Sequence, residues 1–251
     1  MAYVEYEKTG HVVTITMNRP ERMNAMGAEL MTQLAEAFVQ YRDDDDARVA
    51  ILTGRGRAFC AGEDLKEAVE RGKPGLPPLS VRNPFREGEL DKLVMAAVNG
   101  WALGGGYVMA SQADLRIAAE GAIFEISEIH RAWIGGFRHG INQGLSYAHA
   151  AELVLGERIT ARRAWEMGFV NRVVPDADLM KEAMAWAERI CTLPPLAVRE
   201  TVRMLHRIRP QMSPEIMKEF NEANQMLAQT EDAMESRRSF VEKRPPVYKG
   251  R

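Results

Sequence analysis

Three observations predict an α/β fold for this chain. Through the first two thirds, short β-branched or alternating strands take turns with amphipathic helices. Two of those strands run into glycine-bearing turns that open helices. The last third carries helical stripes only.

The chain opens as a hairpin, Tyr3–Glu7 against Val12–Met17, turned by Thr9–Gly10. Asn18–Arg19–Pro20–Glu21 breaks the second strand. Leu30, Leu34, Phe38 and Tyr41 then recur at about 3.6-residue spacing, which predicts a helix with one apolar face. Val49–Thr53 is a short strand of the buried type, ending at Gly54 and Gly56. A second such unit follows, with Leu93–Val98, Asn99–Gly100, and Gly104–Gly106 opening a helix; Asp114–Ala118 and Ala122–Phe124 are further short strands. Between the units, Gly72–Pro84 contains Pro74, Pro77, Pro78 and Pro84. It reads as a loop over a ligand site rather than a domain linker, because strand–helix alternation resumes after it.

From Asp176 the pattern is helical. Leu179, Ala183, Trp186 and Ile190 form one stripe, and Ile216, Phe220, Ala223 and Leu227 another; Pro194–Pro195 and Ser213–Pro214 mark helix starts. Such stripes need covering, and a neighbouring subunit is expected to cover them. The expected division is a core over residues 1–175 and a helical oligomerisation region over residues 176–251.

The chain has 251 residues, 46% hydrophobic and 27% charged, which excludes disordered and collagen-like classes. Lys+Arg 33 against Asp+Glu 35 leaves a net charge of −2, with no basic face; the acidic run Asp43–Asp46 reads as a solvated turn after a helix. Nucleic acid is therefore not an expected partner. Two unspaced cysteines, Cys60 and Cys191, suit a reducing compartment. Neither a secretory signal nor a membrane span is visible, so a soluble cytoplasmic protein is expected. The five histidines show no metal-ligand spacing, and the 15 methionines read as core filler.

Two glycine turns carry the chemistry: GRAFCAGEDLKE (Gly56–Glu67) and NGWALGGGYVMA (Asn99–Ala110). Each follows a strand and enters a helix, where glycine permits close backbone approach and a helix start leaves amides without acceptors. Side by side they suit an oxyanion hole. Neither fits G-x-G-x-x-G or the lysine-bearing phosphate loop, which argues against nucleotide binding.

With these turns, MNRPERMNAM (Met17–Met26) and FVEKRPPVYKGR (Phe240–Arg251) occur in order, and over its whole length the chain resembles the crotonase family, the enoyl-CoA hydratase/isomerase superfamily. The resemblance implies a spiral of ββα units with a C-terminal helical trimerisation region, assembled as trimers or hexamers. It implies an acyl-CoA substrate and an enolate-like intermediate, with no cofactor, coenzyme A being part of the substrate. The thioester oxygen would lie between the main-chain amides of Glu63 and Gly105. Arg22, Ala61 and Lys66 would meet coenzyme A, joined by Phe240 and Lys243 from an adjacent subunit.

Family hydratases hold a water between two glutamates. The first position here is Val108; the second, in AIFEISEIHRAWIGG, is Glu128. One carboxylate beside an oxyanion hole suits proton transfer α to the thioester, so isomerisation is expected ahead of hydration. Glu125, His130 and His139 are the candidates for a second acid, each expected to be structural or exposed. In WIGGFRHGINQG (Trp133–Gly144), Arg138 and His139 replace small residues usual in hydratases, which admits decarboxylase, hydrolase or carbon–carbon lyase relatives. A non-catalytic acyl-CoA- or RNA-binding relative is the remaining alternative. Trp101, Val108, Trp133 and Gly136, with Phe85, Phe124 and Tyr107, are the candidates for shaping an acyl pocket.

Overall fold

The six predicted strands, joined by four short ones that the sequence reading did not include, pair into two sheets in a computed structural model, which describes residues 2–71, 81–136 and 144–251, without the side chains of Phe240 and Val241. The larger sheet has six strands in the order β1-β2-β3-β5-β7-β10. They are β1 (Val4–Thr9), β2 (Val12–Met17), β3 (Val49–Gly54), β5 (Leu93–Val98), β7 (Leu115–Ala119) and β10 (Arg172–Val174). Only β1 and β2 are antiparallel; the rest run parallel, as crossover helices require. A smaller sheet orders β4 (Ala58–Cys60), β6 (Trp101–Leu103), β8 (Ile123–Glu125) and β9 (Ile159–Thr160).

The helices of the larger sheet explain its apolar runs. In β3, Val49 and Ile51 pack in one cluster with Leu179, Ala183, Trp186, Ala187 and Ile190 of the helix α6 (Leu179–Cys191). The alternate residues Ala50 and Leu52 are equally buried, so this strand is covered on both faces and reads as a continuous hydrophobic run. The helix α1 (Ala28–Asp43) buries Leu30, Leu34, Phe38 and Tyr41, the stripe read from the sequence.

The chain divides into two compact units: Met1–Phe124 with Ile159–Arg209, and Glu125–Arg158 with Pro210–Arg251. The expected boundary at residue 175 differs from this division. Because α6 seals a face of the sheet, the first helical stripe of the last third belongs to the sheet unit. The first unit also holds α2 (Leu65–Glu70), α3 (Gly105–Gln112), α5 (Ala161–Glu166) and α7 (Pro195–Ile208). The second holds a 3-10 turn at Ser127–Arg131, α4 (Tyr147–Val154), α8 (Pro214–Leu227) and α9 (Glu231–Glu242). No helix among the described residues is long and apolar enough to cross a membrane. Most of Gly72–Pro84, together with Arg138 and His139, lies outside the described residues.

The segment after β2 is folded around one buried amide. Asn24 sits at φ +54° and is fully buried. Its Oδ1 accepts the Arg19 amide (2.8 Å), and its Nδ2 donates to the carbonyls of Arg55 (3.1 Å) and Ala58 (2.8 Å). Replacing it leaves the buried Arg19 amide without this acceptor and the Ala58 carbonyl with a longer contact from Asn99 (3.4 Å). Asn24→Ala is expected to lower unfolding free energy by about 3 kcal/mol, read as a lower urea midpoint at unchanged slope.

Candidate functional site

Within the first unit, the two glycine turns meet backbone to backbone. The Met26 amide donates to the Gly62 carbonyl (2.7 Å), and the Met26 carbonyl accepts the Asp64 amide (3.3 Å). Met26 thus forms a parallel bridge with Glu63, using both of its own backbone groups. In that pattern the amide and carbonyl of Glu63 point away from the Met26 strand. Gly62 adopts φ +87°, and a Cβ there would stand 2.8 Å from the Leu103 carbonyl oxygen and 3.3 Å from the Gly105 nitrogen.

Two of the three glycines are constrained by the main chain. Gly104 takes φ +50° and caps α3, and a Cβ at Gly106 would overlap the Cys60 carbonyl, whereas Gly105 lies against the movable end of the Met26 side chain. The Gly105 amide is the first of α3, where the helix supplies no acceptor.

A buried ion pair locks the first turn. Arg19 reaches Asp64 at 2.7 Å, both side chains at most a tenth exposed, and its guanidinium also donates to the Ala25 carbonyl (3.3 Å). Asp64 caps α2, its Oδ1 accepting the amides of Lys66 (3.0 Å) and Glu67 (3.2 Å). Burial works to raise its pKa, but the amide bonds and Arg19 outweigh it and hold the carboxyl below its ordinary range. Ala61 donates to the Met23 carbonyl (3.0 Å), one residue from the exposed Arg22; Lys66 is exposed on α2. Glu63, Gly105, Arg22, Ala61 and Lys66 therefore share this unit, with Trp101 and Val108 both half-buried on β6 and α3.

Three aromatics weighed for the acyl pocket pack ring against ring. Phe85 stacks on Phe38 (4.5 Å between centroids), Tyr107 stacks on Phe169 (4.8 Å), and Phe124 meets Phe169 edge-on (5.5 Å). All three are buried.

The second unit carries Glu128, Trp133, Gly136 and Lys243. Glu128 sits in the Ser127–Arg131 turn, and its Oε2 is buried with no hydrogen-bond partner among the described residues. Burial pushes its carboxyl above the ordinary range, opposed by a bond from its own amide and aided by the charge of Glu125. The next residues fold back over it. Trp133 donates to the Glu128 carbonyl (3.2 Å), and a Cβ on Gly135 would stand 2.6 Å from the Glu128 carboxyl carbon. Gly136, at φ +60°, packs on Ile126, while Trp133 is 41% exposed.

The two other acid candidates described here are engaged elsewhere. Glu125 is buried and paired with Arg158 (2.7 Å), while the exposed His130 stands 3.2 Å from the Gly156 carbonyl and 3.7 Å from Glu125. Lys243 lines a cavity of about 830 Å³ with Glu125, Ser127, Arg131 and Tyr248. The side chain of Phe240, like His139, lies outside the described residues.

Sequence reasoning gave no role to Asn24, Arg19 or Asn224. Asn24 and Arg19 stand inside MNRPERMNAM, so the motif itself was the signal. Asn224 lies four residues after Phe220 and three before Leu227, on an apolar stripe, where an asparagine needs a partner.

A family profile described as Enoyl-CoA hydratase/isomerase matches residues 7–251. An enoyl-CoA hydratase of Mycobacterium tuberculosis is 34% identical over 98% of this chain and 96% of its own length. A carnitinyl-CoA dehydratase of Salmonella typhi is 36% identical over 97% of each. Among solved structures, a carnitinyl-CoA hydratase from Mycobacterium avium superposes with a TM-score of 0.85 at 34% identity, covering 99% of both chains. These names support hydratase-type chemistry and lend none to the isomerase preference read from the sequence.

Breaking the Arg19–Asp64 pair leaves a buried guanidinium with its longer contacts to the Ala25 carbonyl (3.3 Å), Glu67 (3.5 Å) and Glu21 (3.9 Å). Asp64→Ala is expected to cost about 3–5 kcal/mol of stability, and Asp64→Asn less because a capping oxygen remains. Thermal denaturation of the two variants separates the cap from the charge.

Proposed function

Because this chain belongs to the enoyl-CoA hydratase/isomerase family, we propose that it binds an acyl-CoA thioester oxygen with the main-chain amides of Glu63 and Gly105 while Glu128 moves the proton. The observation that carries this reading is the asymmetry of its carboxyl groups. Glu128 has an oxygen that is buried and unpartnered among the described residues, and burial pushes its pKa up, whereas position 108 holds a valine. An elevated pKa makes the ionised carboxylate a stronger base.

Glu128 takes a proton from Cα of a 3-enoyl thioester, and the electron pair passes into the carbonyl oxygen as an enolate. The two amides stabilise that oxyanion; loss of one such donor in other enzymes costs about 3–4 kcal/mol. The enolate then collapses with the double bond shifted to C2–C3, taking the same proton back at Cγ. No atom is gained or lost, and no cofactor is part of this proposal.

Arg22, Ala61 and Lys66 are assigned to coenzyme A, together with Phe240 and Lys243 from a neighbouring subunit. The neighbour is part of the proposal: a homotrimer or hexamer would cover Leu196, Met204, Leu205 and Ile208, which stand exposed on α7. Trp101, Val108, Trp133 and Gly136 are assigned to the acyl group. A second reading, hydration or dehydration at C2–C3, is favoured by the names of the relatives. It asks Glu128 alone to orient water and deliver the proton.

Glu128→Gln is expected to lower kcat by about 10²–10⁴-fold with acyl-CoA affinity by calorimetry nearly unchanged; turnover within a few-fold of wild type removes Glu128 from this role. Assays with 3-enoyl-, 2-enoyl- and 3-hydroxyacyl-CoA separate the two readings, and binding without product marks a non-catalytic protein. Val108→Glu is expected to raise hydration of a 2-enoyl-CoA by about tenfold or more; no gain means that the pocket does not place water at that position.

A further inference from the structure

The loop that covers Glu128 is held by a residue far along the chain. Asn224 of α8 is 3% exposed, although its neighbours Glu222 and Gln225 face solvent. Its Oδ1 accepts the Ile134 amide (2.8 Å), and its Nδ2 donates to the Ile134 carbonyl (3.1 Å). One side chain thereby satisfies both polar groups of a single residue, which makes up for burying an amide where an apolar residue would pack at lower cost.

Gly135, the next residue, presses on Glu128. It has no positive φ, so the glycine is required by space alone: a Cβ would overlap Cβ and Cγ of Glu128. The left-handed Ala132 (φ +54°) and the Trp133 amide on the Glu128 carbonyl complete the fold-back. We propose that Asn224 is a positioning residue for Glu128, acting through the Ile134–Gly135 backbone that it clamps. The inference rests on Glu128 being the proton-transfer group and adds what fixes its orientation and dryness.

Among the described residues, the titratable groups around this turn include Glu125, His130, Arg131 and Tyr248, the last donating its hydroxyl to the His130 carbonyl (3.3 Å). Glu125 pairs with Arg158 and lies near His130, and the α9 residue packed on the turn, Ser236, donates its hydroxyl to the His130 carbonyl (2.9 Å). Releasing the clamp admits water to the Glu128 carboxyl without removing a charge. Its pKa then moves down towards the ordinary carboxylate value.

The test compares Asn224→Ala in the wild-type and Glu128→Gln backgrounds, with KM, kcat and the carboxyl 13C titration that Glu128→Gln abolishes. Asn224→Ala is expected to lower kcat by about 10- to 100-fold while KM changes little, and to move the Glu128 titration to lower pH. In the Glu128→Gln background the same change is expected to leave the residual rate as it was. An equal loss in both backgrounds, or an unmoved titration in a folded variant, overturns the proposal. Should Asn224→Ala not fold, Gly135→Ala displaces Glu128 with every hydrogen bond of the clamp retained, and an unmoved titration there is equally fatal. If Glu128→Gln alone keeps its turnover, the functional reading falls, and the titration decides the positioning role by itself.

Discussion

At the meeting of the two glycine turns, main chain lies on main chain with no side chain between. Gly62 borders the Leu103 carbonyl and the Gly105 amide, and Gly106 borders the Cys60 carbonyl, so a methyl group at Gly62 or Gly106 would collide with the backbone of the facing turn or strand. Much of the first unit maintains this approach. β3 and β5 lead towards the turns, α2 and α3 leave them, and Met26 bridges to Glu63. Asn24 and the Arg19–Asp64 pair hold the segment that carries Met26. Dipoles fixed in this way need no reorganisation when charge develops, which is the physical advantage of main-chain donors over flexible side chains.

Glu128 depends on a different set of contacts. Its carboxyl is kept from water by a short fold-back, and Glu125 adds a repulsive charge that favours the protonated form. Glu125 in turn is held by Arg158 at 2.7 Å. Two carboxylates three residues apart thus take unequal roles, one ion-paired and one poised, as their environments dictate. Val108 stands where the family resemblance implies the first of two glutamates. It concentrates the proposed chemistry on a single group.

Local pattern made some elements legible and left others hidden. The stripes of α1 and α6 repeat every helical turn over several turns, and each buried residue named in them packs as periodicity demands. The strands β9 and β10 span two and three residues, too short for alternation to register, and they exist because longer neighbours offer an edge. The family resemblance led to Glu63, Gly105 and Glu128, whose spacing alone left other readings open. For Phe85, Phe124 and Tyr107 the sequence left pocket and core open, because proximity in sequence says nothing about which ring lies beneath which. Asn224 stayed invisible for the same reason: its partner is 90 residues away, and only the folded second unit brings them together.

The chain leaves β8 at Glu125 and rejoins the sheet after Arg158, and the two ends of that excursion are joined side chain to side chain. A stretch tethered at its own base can drift in sequence without disturbing the strands it departs from. The chemistry proposed for Glu128, on the excursion, and the framework, in the sheets, are therefore free to evolve on separate schedules.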